Sequence, residues 1–181
     1  KLKLTGDGED AERVAAVRAN APDARIIVDA NEALTLVEAE RIAPALAAAR
    51  VEMLEQPLHA DRDEALRNRA FPLPLGADES CHDTATLDRL RGLYQVVNIK
   101  LDKTGGLTEA LRLKAAAERM RFRVMVGCML ATSLSMAPAH LVAQGAAFVD
   151  IDGPLLMARD REPGLRYEGS LVHPPEAALW G

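Results

Sequence analysis

The chain has 181 residues and a formal net charge of −5, with 49% hydrophobic and 27% charged residues. That balance excludes a disordered or collagen-like chain, and a chain this long can bury roughly 70% of its unfolded surface in a core. No apolar run approaches the roughly 20 residues of a membrane span, and no basic cluster interleaved with aromatics appears, so neither a membrane nor a nucleic acid is expected as partner.

In chain order, short apolar runs cover residues 1–4, 25–30, 51–56, 73–78, 96–101, 123–128 and 148–152. Each is four to six residues long and mostly aliphatic or β-branched, which predicts buried strands. Between them, Ala-rich amphipathic stretches predict helices over 9–20, 34–48, 62–68, 84–91, 107–121 and 133–144. Asp83 caps one helix start, and Gly105-Gly106-Leu107-Thr108-Glu109 opens another.

Alternating strands and helices imply a parallel sheet covered by helices. The repeat is regular: Lys3 to Asp29 is 26 residues, Asp29 to Glu55 is 26, Glu55 to Asp78 is 23, Asp78 to Lys100 is 22, and Lys100 to Asp150 is 50, or two units. A period near 25 predicts a TIM-type barrel, which usually takes about 250 residues. Seven of eight strands are then visible, and the first is expected to lie before Lys1. The opening Lys1-Leu2-Lys3-Leu4 carries no initiator Met and no signal peptide, as expected of a processed or truncated chain.

Strand parity sharpens the pattern. Val97, Ile99 and Leu101 share one face of their strand, and Asn98 and Lys100 the other. Leu2 and Leu4 oppose Lys1 and Lys3, and Val149 and Ile151 oppose Asp150 and Asp152. The apolar faces are expected to pack on helices and the polar ones to line the barrel mouth, where C-terminal strand ends carry the chemistry.

Three consecutive strands finish on a carboxylate: Val28-Asp29-Ala30-Asn31, Leu54-Glu55-Gln56-Pro57 and Gly76-Ala77-Asp78-Glu79-Ser80. One such acid is adequately explained as a helix cap or a solvated loop residue. Three at matching depth, on strands about 4.8 Å apart, repel one another unless a cation sits between them. Hard oxygen ligands suit Mg²⁺, with Mn²⁺ as the alternative. Lys1 and Lys3 precede the trio and Lys100 follows it. Neighbouring cations and a metal disfavour the ammonium form of such a lysine, which equips it as a general base. Cys81 and Cys128 show no CxxC spacing, and the four histidines no HExxH pair, so disulfides and zinc are not expected and thiols in a reducing cytoplasm are.

Taken together, Lys1-x-Lys3, the three acidic segments and Asn98-Ile99-Lys100 resemble the enolase superfamily, muconate-lactonizing subgroup. Within it, Asp150-Ile151-Asp152 resembles the Asp-x-Asp of dipeptide epimerases, and Lys103-Thr104-Gly105-Gly106 and Met125-Val126-Gly127-Cys128-Met129 are similar to segments of those enzymes.

The resemblance implies a (β/α)7β barrel over residues 1–181, here without the family's N-terminal capping domain and first barrel strand. It implies Asp29, Glu55 and Asp78 as Mg²⁺ ligands, in a superfamily whose sites pair a Lys or His base with Mg²⁺ and an enediolate. Lys3 and Lys100 are implied as opposed bases that move one proton at the carbon α to a metal-bound carboxylate. Lys1 is implied beside the substrate carboxylate, Asn31 and Glu79 behind the ligands, and Asp150 and Asp152 around the α-ammonium of a dipeptide. The substrate class that the resemblance implies is an L-Ala-D/L-Glu-like dipeptide from cell-wall peptide turnover, and the expected setting is a cytoplasmic homo-oligomer. The tail, Pro174 to Gly181, departs from the Pro-Gly-Leu-Gly-like ending expected of the family.

Alternatives within the subgroup are a muconate-type cycloisomerase, an o-succinylbenzoate synthase or an N-acylamino-acid racemase, whose substrates give a paired Asp-x-Asp no cation to bind. From a different class, the chain could be a catalytically silent barrel fragment serving as an assembly module.

Overall fold

The computed structural model describes residues 1–181. Its elements are β1 (Leu2–Lys3), α1 (Asp10–Asn20), β2 (Ile26–Asp29), α2 (Leu36–Ala48), β3 (Val51–Glu55), β4 (Leu75–Ala77), α3 (Leu87–Leu90) and β5 (Val96–Ile99). There follow α4 (Leu101–Thr104), α5 (Leu107–Arg119), β6 (Arg123–Val126), α6 (Ser133–Val142), β7 (Phe148–Val149), β8 (Tyr167–Glu168) and β9 (Leu171–Val172). The fold is α/β with parallel strands. It divides into two compact units, Lys1–Cys81 with Asp88–Val96, and His82–Leu87 with Val97–Gly181. No helix is long and apolar enough to cross a membrane.

In the first unit β1, β2, β3 and β4 pair in parallel and in chain order. Aliphatic residues build the strands because both faces are covered: Val28, Met53, Leu54 and Leu75 are buried, as are Ala39, Ala43 and Leu46 of α2. β3 and β4 approach so closely that a Cβ on Gly76 would meet Met53 Sδ at 2.6 Å, so this strand end accepts only glycine without displacing Met53. α2 starts on a capping box, with Thr35 Oγ accepting from Glu38 N (3.3 Å) and Glu38 Oε2 from Thr35 N (2.8 Å). α1 is fixed differently. Its buried first residue, Asp10, accepts from Thr5 N (3.0 Å) and Gly6 N (2.8 Å), which pins the loop leaving β1.

In the second unit the order is β5, β6, β7. β6 and β7 pair in parallel, Met125 with Phe148 and Val126 with Val149, and Gly127 N donates to Ile99 O at 3.0 Å. α5 packs on α6 and β6, burying Leu113, Ala117, Met125, Met136 and Val142. The antiparallel hairpin of β8 and β9 is tied to the segment after β7 by Tyr167 Oη, which donates to Ile151 O at 2.7 Å.

Every expected strand is present, each trimmed at one or both ends. Two expected helices differ. Residues 62–68 lie mainly in a 3₁₀ turn, Ala60–Leu66, and residues 84–91 divide into a 3₁₀ turn, Thr84–Thr86, and the four-residue α3. In the first, Asp63 is drawn inward to Arg89 (2.6 Å). The Asp83 cap is present, its side chain accepting from Thr86 N at 3.2 Å. α4 and the hairpin were not expected from periodicity, being too short to show one. Parity fails at the last strand: Val149, expected to be packed, is 48% exposed, whereas Ile151 is buried.

Candidate active site

Parallel register sets the site. Lys3 pairs with Asp29, Asp29 with Glu55, and Glu55 with Gly76, so one rung crosses four strands at their C-terminal ends. Asp78 lies two residues beyond Gly76 and Lys1 two before Lys3, and the side chains of both reach the same cluster. The outcome is a cluster of buried carboxylates: Asp29, Glu55 and Asp78 each place an oxygen within 4.8 Å of the others.

Cations meet this cluster from Lys1 and Lys3, at the start of the chain. Lys1 Nζ lies 2.9 Å from Asp29 Oδ2 and 2.8 Å from Glu55 Oε2, and Lys3 Nζ donates to Asp29 Oδ2 at 2.7 Å and to Asn31 Oδ1 at 2.5 Å. Asn31 also donates its backbone N–H to Asp29 Oδ1 (2.9 Å) and its amide to Glu79 Oε1 (3.2 Å). Its left-handed φ of 41° turns the chain sharply enough to make both bonds.

Electrostatics follows from burial. Glu55 is pushed above the ordinary carboxylate range by burial, against the pull of Lys1 and with the added repulsion of Asp29 and Asp78. Burial opposes the charged form of Lys1, but Glu55 and Asp29 outweigh it and hold the ammonium well above the usual lysine value. Carboxylates, not other cations, are the nearest charges around Lys1.

The residues fit a divalent cation. Three buried carboxylate side chains form a hard-oxygen donor set whose mutual repulsion a cation relieves. Beside them, Glu79 Oε2 is buried without a hydrogen-bond partner.

The second unit groups the remaining sequence-predicted residues. Lys100 directly follows β5 and precedes α4. Asp150 N continues the β7 ladder by donating to Val126 O at 2.9 Å, and Asp150 and Asp152 flank the buried Ile151. The Cys128 thiol is pushed up by burial, against a bond from Gly153 N–H, then further by Asp150 and Asp152, and is pulled down by Lys100. All three charged residues therefore share its surroundings. Neither cysteine forms a disulfide.

One residue had a sequence signal but no assigned role. Gln56, between Glu55 and Pro57, is fully buried and bonds to Asp78 N at 2.9 Å through Oε1. A polar amide between a strand-end acid and a proline was the available clue.

Residues 1–178 match the family described as Enolase C-terminal domain-like. Among curated relatives, an N-acetyl-D-glutamate racemase from Pseudoalteromonas sp is 49% identical over 182 residues, covering 100% of this chain and 57% of the relative. The L-Ala-D/L-Glu epimerase of Escherichia coli (strain K12) is 48% identical over 162 residues, covering 90% and 50%. The chain thus spans about half the length of these relatives. Among solved structures, an enolase family member from Agrobacterium tumefaciens with homology to dipeptide epimerases, bound to sodium and L-Ala-L-Glu with an ordered loop, is 56% identical. It superposes with a TM-score of 0.95, covering 99% of this chain and 56% of that one. A dipeptide epimerase from Methylococcus capsulatus, complexed with Mg and L-Arg-D-Lys, is 31% identical with a TM-score of 0.88, covering 96% and 52%.

Proposed function

The chain belongs to the enolase C-terminal domain-like family, and from that premise we propose that it is the barrel portion of a Mg²⁺-dependent epimerase of L-Ala-D/L-Glu-like dipeptides. The observation that carries this reading is the trio Asp29, Glu55 and Asp78, buried within 4.8 Å of one another at adjacent strand ends with Lys1 and Lys3 beside them. These three residues would hold Mg²⁺, or Mn²⁺ in its place. The bound ion supplies a positive charge that receives the substrate carboxylate and offsets negative charge at the neighbouring carbon as its proton leaves.

The chain's own residues do the rest. We assign Lys3 and Lys100 as the acid–base pair, on the resemblance of Lys1-x-Lys3 and Asn98-Ile99-Lys100 to the superfamily's lysine motifs. One lysine, neutral, takes the α-proton, and the other, as ammonium, returns a proton to the opposite face. The carbon is inverted and the two lysines exchange protonation states. Asn31 accepts from the Lys3 ammonium and is itself held by Glu79, which keeps the Lys3 amine oriented. Lys1, a fixed ammonium between Asp29 and Glu55, assists the substrate carboxylate. Asp150 and Asp152, together near Cys128, would receive the dipeptide's α-ammonium by charge-assisted hydrogen bonds.

The relatives' greater length supports a further N-terminal portion, with a capping domain that closes the barrel mouth and a first barrel strand that completes the barrel.

A second reading is favoured by one observation, the relative that racemises N-acetyl-D-glutamate. An N-acylated substrate has no α-ammonium, so the two readings separate at Asp152. Full-length protein is incubated with a dipeptide library and with N-acetyl amino acids in D₂O and Mg²⁺, and α-deuterium is read by mass. Dipeptides are expected to exchange, and Asp152→Asn to slow them at least tenfold more than any N-acetyl substrate. Exchange confined to N-acetyl substrates would select the racemase instead, and no exchange in either class would refute both.

A further inference from the structure

We propose that Gln56 is a positioning residue that sets the spacing of the three carboxylates and, through it, the affinity for the metal; this rests on the reading of the trio as a metal centre. Gln56 is joined to the strand end of each acid. It follows Glu55 in the chain. Its carbonyl accepts from Glu32 N at 2.9 Å, in the loop that leaves Asp29. Its backbone N–H donates to Gly76 O at 2.8 Å, two residues before Asp78.

The side chain completes the connection. Oε1 accepts from Asp78 N at 2.9 Å and Ser80 N at 3.2 Å, bracketing Glu79. Nε2 donates to Leu58 O (2.9 Å), Ser80 Oγ (2.8 Å) and Tyr94 Oη (3.1 Å), sharing two hydrogens among three acceptors. The orientation is fixed by chemistry, since only the oxygen can accept from two backbone N–H groups and only the nitrogen can donate to the Leu58 carbonyl. Behind it, Arg89 clamps the assembly by donating to Asp63 Oδ1 (2.6 Å) and Ser80 O (3.1 Å).

Gln56 itself is wholly buried and held at a left-handed φ of 32°, a conformation that persists only where its surroundings enforce it. Removing the amide leaves the N–H of Asp78, itself a proposed ligand, without its acceptor. It also frees the loop after β4 from the end of β3. Mg²⁺ demands near-octahedral oxygens at about 2.0–2.1 Å, so it tolerates little drift between Glu55 and Asp78.

The test is Gln56→Met, which keeps the side chain's length and removes its hydrogen bonds. Mg²⁺ is titrated calorimetrically into full-length protein without substrate. Loss of a residue that orients metal ligands typically weakens metal binding about 10–100-fold, so Kd is expected to rise at least about tenfold, with unchanged stoichiometry per folded chain. Turnover should return at saturating Mg²⁺. A purely structural role would lower the folded fraction or the melting temperature and leave Kd within about twofold of wild type, and that result overturns the proposal. Should Gln56→Met fail to fold, the double variant Ser80→Ala/Tyr94→Phe, which removes two acceptors from Nε2, is expected to raise Kd about threefold, and an unchanged Kd overturns the proposal equally. Wild-type protein that binds no Mg²⁺ would overturn the metal centre and this inference together. A wild-type site that binds normally and ignores the Gln56 variants would overturn the inference alone.

Discussion

Asp29, Glu55 and Asp78 could each be explained singly by solvation or capping; what distinguishes them is that all three are almost wholly buried. A carboxylate taken out of water must be paired, hydrogen-bonded or protonated. Lys1 pairs with two of them, while burial first, and then the charges of Asp29 and Asp78, push Glu55 above the ordinary carboxylate range. A divalent ion would offset these charges. Asp78→Asn keeps the shape and removes one charge from the donor set, so the Mg²⁺ concentration for half-maximal binding should rise at least about tenfold. An unaltered titration would remove Asp78 from the ligand set. The residue types and their order were legible in the sequence. Two features were not: the pairing of Lys1 with Asp29 and Glu55, and the bonds of Gln56 to Asp78 and Ser80, which depend on groups more than 20 residues away that the fold brings into contact.

Among the helical elements, those with long, clean periodicity were legible and the short ones were not. α2 and α5 each run 13 residues and fall within one or two residues of their expected bounds. The 3₁₀ turns Ala60–Leu66 and Thr84–Thr86 and the four-residue α4 have no period to read, because local side-chain bonds and tertiary contacts decide their conformation. The start of α2 carried a readable signature that periodicity overlooked, Thr35-Leu36-Val37-Glu38. Its capping box satisfies backbone N–H groups at the helix start, so Thr35→Ala should destabilise the protein by about 1 kcal/mol. Urea unfolding without metal measures this. Kd for Mg²⁺ should stay unchanged, since the cap touches none of the three carboxylates.

For the whole molecule, a metal that binds the folded chain and not the unfolded one must stabilise it. Mg²⁺ at about 100 times its Kd is expected to raise the unfolding free energy by about 2.7 kcal/mol, and chelation to reverse the gain. Thermal melts of full-length protein with Mg²⁺ and with a chelator check this, and coincident curves would argue against a metal held by the native state. The family, the α/β alternation with its repeat near 25 residues, and the identity of the strand-end acids and lysines were determined by the sequence alone, because hydrophobic period and residue type are local properties of the chain. Only the tertiary structure decided that Lys3, Asp29 and Glu55 fall on one rung, that Val149 faces outward, and that Gln56 joins the segments of all three acids. Register, burial and hydrogen-bond partners are relations between distant segments, fixed when strands pair and side chains leave water.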